Sequence, residues 1–252
     1  MYGLLSTGYA LDVLGAGPLH PVRVIEAATA AQLERRLDGL DMEYLAWAAG
    51  SWIDGYATGV YLNRRHHGSN DRAAVLWGWL LTHQHRSSGM WGRHLDPVGE
   101  HDFGWLMAVN GFYRLTRGTY AQFAVPVPHP EQAIDTVLAH GRCYGWFVDA
   151  HRTACNVLDV IHPLWLLGRQ CDYRRAEIAA VAHAVLTAVI EDWVDGAGFA
   201  FDACEGQPGL QGTEMWLAIA YLAADVLGET DGLSWEPRGV HRLAPADRLP
   251  AA

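Results

Sequence analysis

Three segments of the sequence repeat one pattern, in which small polar residues precede an apolar stretch of helical spacing and a glycine ends it. The segments are GLLSTGYALDVLG at 3–15, RTACNVLDVIHPLWLLG at 152–168 and QGTEMWLAIAYLAADVLG at 211–228. Glycine commonly occupies the left-handed position that ends a helix. Because alternation of apolar and polar residues is scarce along the chain, the repetition predicts an all-α fold.

Loops rich in glycine and aromatic residues separate the apolar helices. SSGMWG, GRCYGWF and WVDGAGFAF each follow a helical stretch. Helical hairpins joined by such turns can stack in a ring, with one helix of each pair facing a cavity. Candidate inner helices near residues 6, 52, 110, 154 and 213 predict an α/α toroid of about five or six hairpins. We expect one domain over 1–252, in which 229–252 form a C-terminal strap across the ring.

The composition excludes several chemistries. Half of the 252 residues are apolar, so the chain can bury the core of one large domain. The 18 basic residues are all arginine, which excludes a Schiff-base lysine, a lysine-held pyridoxal cofactor and the lysine of a phosphate-binding loop. The net charge of -10, without any basic block, argues against nucleic acid as a partner.

The sequence also predicts where in the cell the protein is located. The four cysteines lack paired CxxC spacing, which indicates reduced thiols and a cytoplasmic protein. The first residues contain no basic stretch before an apolar run, so we expect no signal peptide. We also expect no integral membrane segment, because the apolar runs stay shorter than the roughly 18 residues of a membrane helix. The oligomeric state is left open.

The stretch LLTHQHRSSGMWG, at 80–92, has Leu80, Gln84, Gly89 and Trp91 in the order of the QW repeat. It resembles the QW repeats of the squalene-cyclase and prenyltransferase superfamily, with one residue more between the glutamine and the glycine. STGYALDVLG is similar to the inner-helix segment of the same superfamily. The resemblance implies an α/α toroid in which Gln84 bonds the backbone at a helix end and Trp91 stacks beside it. Both residues are expected to stabilise the fold, since glutamine can satisfy helix-terminal groups while tryptophan covers the junction.

Polar residues at the starts of the inner helices are the best candidates for a site, because a ring would bring them together. Helix N-termini also favour anions. These residues are Ser6, Thr7, Asp54, Asn110, Tyr113, Arg114, Asn156, Asp159, His162, Thr213 and Glu214.

The segment HRTACNVLDVIHPLW, at 151–165, predicts the catalytic centre. His151, Cys155, Asp159 and His162 would share one helical face. Asp159 is the predicted acid, and His162, three residues on, its modulator. A single helix can supply at most two of these side chains to one metal ion. Alternatively, His162 bonds the backbone and Asp159 caps a neighbouring helix.

Further candidates lie outside that segment. Glu214 and Asp54 are the other predicted catalytic carboxylates, although an acid in the first turn of a helix is also favoured by the helix dipole. Arg114 could clamp a carboxylate or phosphate, or pair with an acid. The predicted substrate-binding residues are Asn110, Tyr113, Arg114, Asn156, Trp105, Trp165 and Trp216.

Three functions from different classes are compatible with these features. The preferred one is a terpene-cyclase-like cyclase or isomerase that uses acid-base chemistry on an apolar small molecule, supported by the 11 tryptophans and 10 tyrosines. The acidic Asp-x-Asp-Asp string of class II terpene cyclases is missing. The alternatives are a glycoside hydrolase or polysaccharide lyase, and a non-catalytic helical binding module.

No cofactor is expected. Zinc is a weaker alternative, because the zinc-dependent protein prenyltransferases carry an Asp-x-Cys pair followed by a later histidine. Asp202, Cys204 and His241 match that pattern here.

Overall fold

The computed structural model describes residues 1–69, 72–92, 103–144, 152–204 and 206–245. Within these ranges the regular structure is helical, without β-strands beyond isolated bridges, so the all-α prediction is confirmed. The α-helices in chain order are α1 Tyr2–Val13, α2 Arg23–Ala27, α3 Ala30–Asp38, α4 Ala46–His67, α5 Ala73–His83, α6 Phe103–Thr116, α7 Pro130–Tyr144, α8 Ala154–Gly168, α9 Arg175–Glu191 and α10 Leu210–Leu227.

Five of these helices contact one another in chain order. Helix α1 packs on α4, α4 on α6, α6 on α8, and α8 on α10. They are the helices predicted near residues 6, 52, 110, 154 and 213. Helix α7 packs against α6 and α8, and α9 packs against α8 and α10. This succession is what a toroid of helical hairpins requires, while the closed ring itself stays a prediction.

The C-terminal segment lies between the first and the last of the five helices. It contains two short 3-10 turns, Thr230–Gly232 and Gly239–His241, and the second turn contacts α1. Arg242 pairs with Asp12 of α1, and the same carboxylate accepts a hydrogen bond of 2.9 Å from the Tyr61 hydroxyl of α4. The ion pair holds the segment against α1, and the Arg242 guanidinium also lies over the Tyr61 ring of α4, 6.0 Å from its centroid.

Glycines allow α4 and α6 to approach closely. A Cβ added to Gly50 would lie 2.5 Å from the carbonyl oxygen of Gly111, and one added to Gly111 would lie 2.7 Å from the carbonyl oxygen of Ala46. Both distances are shorter than a carbon-oxygen contact allows, so the two backbones meet at positions that only glycine can occupy. This close packing sets the distance between the polar residues further along the two helices.

The predicted glycine helix ends are only partly correct. Gly15 and Gly228 adopt left-handed backbone, with φ of 65° and 75°. Gly168 instead remains in α8 as its last residue. The C-cap of that helix is Arg169, which is right-handed.

The loop after α5 is held by the glutamine and tryptophan that the sequence singled out. Gln84 Nε2 donates to the carbonyl oxygens of Gly89 at 2.7 Å and of Pro128 at 2.8 Å. Trp91 Nε1 donates to the carbonyl oxygen of Leu80 at 2.9 Å, and its ring is fully buried in the core. These bonds satisfy backbone groups at the end of α5 and join its loop to the segment before α7.

None of the helices in the described ranges is long and apolar enough to span a membrane.

Candidate functional site

Six polar side chains from different parts of the chain form one continuous hydrogen-bonded network in the interior. We call it the core network. Its members come from α1, α4, α6, the turn after α6, the C-terminal segment and α10. In hydrogen-bonding order they are Tyr9, Asp54, Arg117, Tyr113, His241 and Glu214.

Asp54 and Arg117 form the buried end of the core network. Arg117 Nε lies 2.9 Å from Asp54 Oδ2, and Arg117 Nη2 contacts the same oxygen. The Tyr9 hydroxyl donates to Asp54 Oδ1 at 3.1 Å. Burial raises the pKa of Asp54, although Arg117 opposes this shift. Burial alone would lower the pKa of the Arg117 guanidinium. The charge and the hydrogen bonds of Asp54 act in the opposite direction, the pKa is raised, and the guanidinium stays charged.

A π-helical turn brings Arg117 to Asp54. The turn, Arg117–Ala121, continues α6 directly. Such turns are rare in proteins, and those that occur often lie at functional sites. A Cβ added to Gly118 would lie 2.1 Å from Asp54 Oδ1. The carboxylate therefore occupies space that any other residue at position 118 would fill.

Tyr113 and His241 carry the core network outward to Glu214. Arg117 Nη1 donates to the Tyr113 hydroxyl at 2.8 Å, and that hydroxyl lies 2.8 Å from His241 Nε2. His241 Nδ1 lies 3.1 Å from Glu214 Oε1. Both ring nitrogens of His241 therefore have a partner, Nε2 in the Tyr113 hydroxyl and Nδ1 in the Glu214 carboxylate, to which Nδ1 donates.

Glu214 lies in the wall of a cavity of about 820 Å³, which we call the α1/α10 cavity. Most of its wall is apolar, and it is contributed by α1, α10 and the C-terminal segment. Burial raises the pKa of Glu214, but His241 and Arg117 more than offset this and leave the pKa below its usual value. An ionised carboxylate therefore faces this cavity. Its wall comprises Tyr9, Ala10, Val13, Leu14, Leu210, Glu214, Leu217, Ala218, Trp235, Glu236, Pro237, Arg238, Gly239 and Val240.

A second group of buried polar side chains lies where α6 packs on α8. Asp159 is fully buried, and neither carboxyl oxygen has a hydrogen-bond partner among the described residues. Burial raises its pKa well above the usual value, although the charges of Arg114 and Arg117 oppose the shift. The same burial, together with the charge of Asp159, raises the pKa of Cys155 to about 11. Burial without a hydrogen-bond partner in the described part of the chain therefore favours the protonated form of Asp159.

His162 is buried and neutral. Burial, with the charges of His241 and Arg117, lowers its pKa well below the usual value. Its ring contacts Tyr113 edge-on, with centroids 5.1 Å apart. The prediction that Asp159 orients His162 is wrong in one respect, because no hydrogen bond joins them although they are three residues apart on α8. Two side chains on one helical face need not contact each other when each points toward a different packing partner.

The structure assigns other positions to several predicted site residues. Asp54 was expected at a helix start but lies in the middle of α4, because that helix begins at Ala46. Asn110 is buried with its Oδ1 unpartnered among the described residues. The Arg114 guanidinium lies 4.8 Å from the Trp47 ring centroid. The backbone N–H of Asn156 donates to the capping side chain of Thr153.

The predicted substrate-binding tryptophans pack in the protein and do not line the α1/α10 cavity. Trp165 Nε1 donates to Asp225 at 2.7 Å, and Trp216 Nε1 donates to the carbonyl oxygen of Ala200 at 2.8 Å. Trp105 is buried against Ala108. His151 lies outside the described residues.

The zinc alternative gains no support from the arrangement. Cys204 N donates to Asp202 Oδ1 at 3.0 Å, while both ring nitrogens of His241 belong to the core network. In the part of the chain that the structure describes, no three histidine, cysteine, aspartate or glutamate side chains are grouped so that they could hold a metal ion.

Sequence reasoning missed Tyr9 and the role of His241, which was considered only as a metal ligand. A signal existed for Arg117, because it lies within two helical turns of Asn110 and Arg114 in VNGFYRLTRGTY, a polar stretch between apolar segments. No comparable signal marks His241, which lies 128 positions from its partner Tyr113.

The site combines an ionised base on an apolar cavity with a hydrogen-bonded support behind it. This arrangement can accept a proton from a bound apolar molecule and return it. A scan against protein-family models, a search of curated proteins and a search of solved structures each found no match to this chain.

Proposed function

We propose that the protein is an enzyme that binds an apolar small molecule in the α1/α10 cavity and isomerises it by proton transfer. The observation that carries the proposal is the position of Glu214, an ionised carboxylate in a mostly apolar wall that is hydrogen-bonded to the buried core network. Perturbed carboxylates in clefts are typical of catalytic sites.

In the proposed reaction Glu214 removes a proton from an allylic carbon of the substrate. The C–H electron pair forms a new C=C bond as the original double bond shifts, and the protonated Glu214 returns the proton to the far carbon. The step balances without a cofactor or co-reactant. His241 holds Glu214 through Oε1, and Tyr113 holds His241 in turn. Because each partner is fixed by the next, the base is positioned before the substrate arrives, which reduces the cost of reorganisation in the transition state.

Cyclisation is the alternative to isomerisation, and its first step needs an acid that protonates the substrate. Asp159 stays the candidate for that role because burial raises its pKa and so favours the protonated form. It does not line the α1/α10 cavity, so isomerisation with Glu214 as the base has the better geometrical support. The apolar wall is also less suited to sugars than to terpenoids.

A non-catalytic binding module is the second candidate, and one observation favours it. Among the described residues, those around His162 and Arg117 enclose a cavity of only about 10 Å³. A protein of this kind would hold its ligand in the α1/α10 cavity without converting it.

Incubation with a panel of free terpenoids, prenyl diphosphates and uronic-acid oligosaccharides tests the proposal. We expect conversion of a free terpenoid, detected by gas chromatography with mass spectrometry. Glu214→Gln, which keeps the acceptor for His241, should lower the rate by a factor of about 10² to 10⁴. The matched exposed variant Glu229→Gln should not change it. Tight binding of a terpenoid without any conversion would instead support the binding module.

A further inference from the structure

We infer that the ligand of the α1/α10 cavity is an apolar molecule with one hydrogen-bond-donating head group, a hydroxyl or an ammonium, rather than a carboxylate or a phosphate ester. The inference rests on the proposed function for the site but not on turnover. It is carried by the free oxygen of Glu214, by the charges in the wall and by the exposed apolar side chains around them.

Glu214 offers one free acceptor to a ligand. Its Oε1 lies 3.1 Å from His241 Nδ1, while Oε2 makes no hydrogen bond with a described residue. The side chain is 54 % exposed, so a ligand can reach it. Because the carboxylate is ionised, it can accept a hydrogen bond but cannot donate one. A ligand group at this position must therefore be a donor.

The charges in the wall disfavour an anion. Glu214 and Glu236 are both acidic, and Arg238 is the one basic residue among the described residues of the wall. Sites for phosphate and carboxylate generally present arginine forks or several N–H groups together. The N-terminus of α10 also reaches this cavity, but Glu214 itself supplies the negative charge that the positive end of the helix favours.

The rest of the wall is apolar and favours a ligand with an apolar body. Leu14 is 77 % exposed and Leu210 is 89 % exposed, and both lie in the wall. Large apolar side chains exposed together commonly mark a binding surface. Ala10, Leu217 and Ala218 extend the same surface toward Glu214. A hydrocarbon chain that covers these residues would place its head group, together with the carbon that carries it, beside the free oxygen of Glu214.

Four ligands with the same twelve-carbon chain test the inference: dodecanol, dodecylammonium, dodecanoate and dodecyl phosphate. Each is titrated below its critical micelle concentration, and its binding is measured by displacement of a fluorescent apolar probe. We expect dodecanol and dodecylammonium to bind at least about tenfold more tightly than the two anions. Equal binding of dodecanoate and dodecanol, or no binding by any of the four, would overturn the inference.

Two variants locate the binding and separate the two donor head groups. Glu214→Gln should weaken dodecylammonium about tenfold and dodecanol less, because glutamine removes the charge but keeps an acceptor. Ala10→Trp, at an exposed wall position, should fill the cavity and weaken both ligands. Ammonium binding that survives both variants would be surface binding to an acidic protein and would contradict the inference.

The outcome is independent of catalysis. If the donor ligands bind as expected and the terpenoid panel shows no conversion, the ligand class stands and the isomerase proposal fails. If a terpenoid is converted while the anions bind as tightly as the alcohol, the isomerase stands and the ligand class fails.

Discussion

The hydroxyl of Tyr113 lies 2.8 Å from Nε2 of His241, a residue 128 positions further along the chain. The contact joins the buried end of the core network to the C-terminal segment. It also makes Tyr113 the shared partner of Arg117 and His241, since Arg117 Nη1 donates to the same hydroxyl. Removal of this one oxygen therefore affects both halves of the core network.

Tyr113→Phe should lower the free energy of unfolding by about 1–3 kcal/mol, because it leaves buried polar groups of Arg117 and His241 without a partner. Urea denaturation followed by circular dichroism measures the change. Tyr173→Phe is the matched control, since the Tyr173 hydroxyl bonds Asp135 near the surface and its loss should have little effect. Equal effects of the two variants would show that the core network does not stabilise the interior.

Asp54 and Arg117 should behave as a coupled buried pair. Asp54→Asn or Arg117→Met alone should cost about 3–5 kcal/mol of unfolding free energy, because each leaves its partner buried and uncompensated. The double variant should cost clearly less than the sum of the two single variants. Additive losses in the double-mutant cycle would mean that the two charges do not depend on each other.

Gly118 should tolerate no side chain. Gly118→Ala places a Cβ against Asp54 Oδ1, which forces apart the π-helical turn and α4. We expect a melting temperature several degrees below that of the wild type. Gly78→Ala, in α5 where nothing lies within 4 Å of the added Cβ, should be neutral or stabilising because alanine favours a helix. A Gly118→Ala protein as stable as Gly78→Ala would contradict the close approach.

Asp159 should make stability depend on pH in a defined direction. Its pKa is raised above the usual 3.8, so the native state binds the proton more tightly than the unfolded state does. The stability that this proton contributes is complete below the unfolded pKa and is lost as the pH rises through the native pKa. Asp159→Asn cannot titrate, so its stability relative to the wild type should increase as the pH rises from about 4 through the raised native pKa of Asp159. A constant difference, or a decrease, would show that Asp159 is ionised in the native state.

The sequence predicted the helices better than the site, and particular residues show why. Apolar spacing placed α1, α4, α6, α8 and α10 correctly because burial on one face is a local signal. Gln84 was recognised because it belongs to a local sequence pattern with Gly89 and Trp91, and its contact with Gly89 spans only five residues. The partnership of Tyr113 with His241 depends on how the C-terminal segment returns to α1 and α10, which no local pattern encodes.

For the candidate carboxylates, too, one property could be predicted from the sequence and another could not. Asp54, Asp159 and Glu214 could be recognised as polar residues in apolar helices. The opposite shifts of their pKa values could not, because these depend on tertiary surroundings. The contact with His241 lowers the pKa of Glu214, whereas Asp159 lacks a hydrogen-bond partner among the described residues and burial raises its pKa.

The central claim is that Glu214 exchanges a proton with an apolar molecule held in the α1/α10 cavity. The most direct measurement is incorporation of deuterium from D₂O into recovered free terpenoids of the panel, read by mass spectrometry for the wild type and for Glu214→Gln. We predict incorporation at a carbon position by the wild type and a loss of about 10²-fold or more in the variant. No incorporation by the wild type, or equal incorporation by both proteins, would contradict the account.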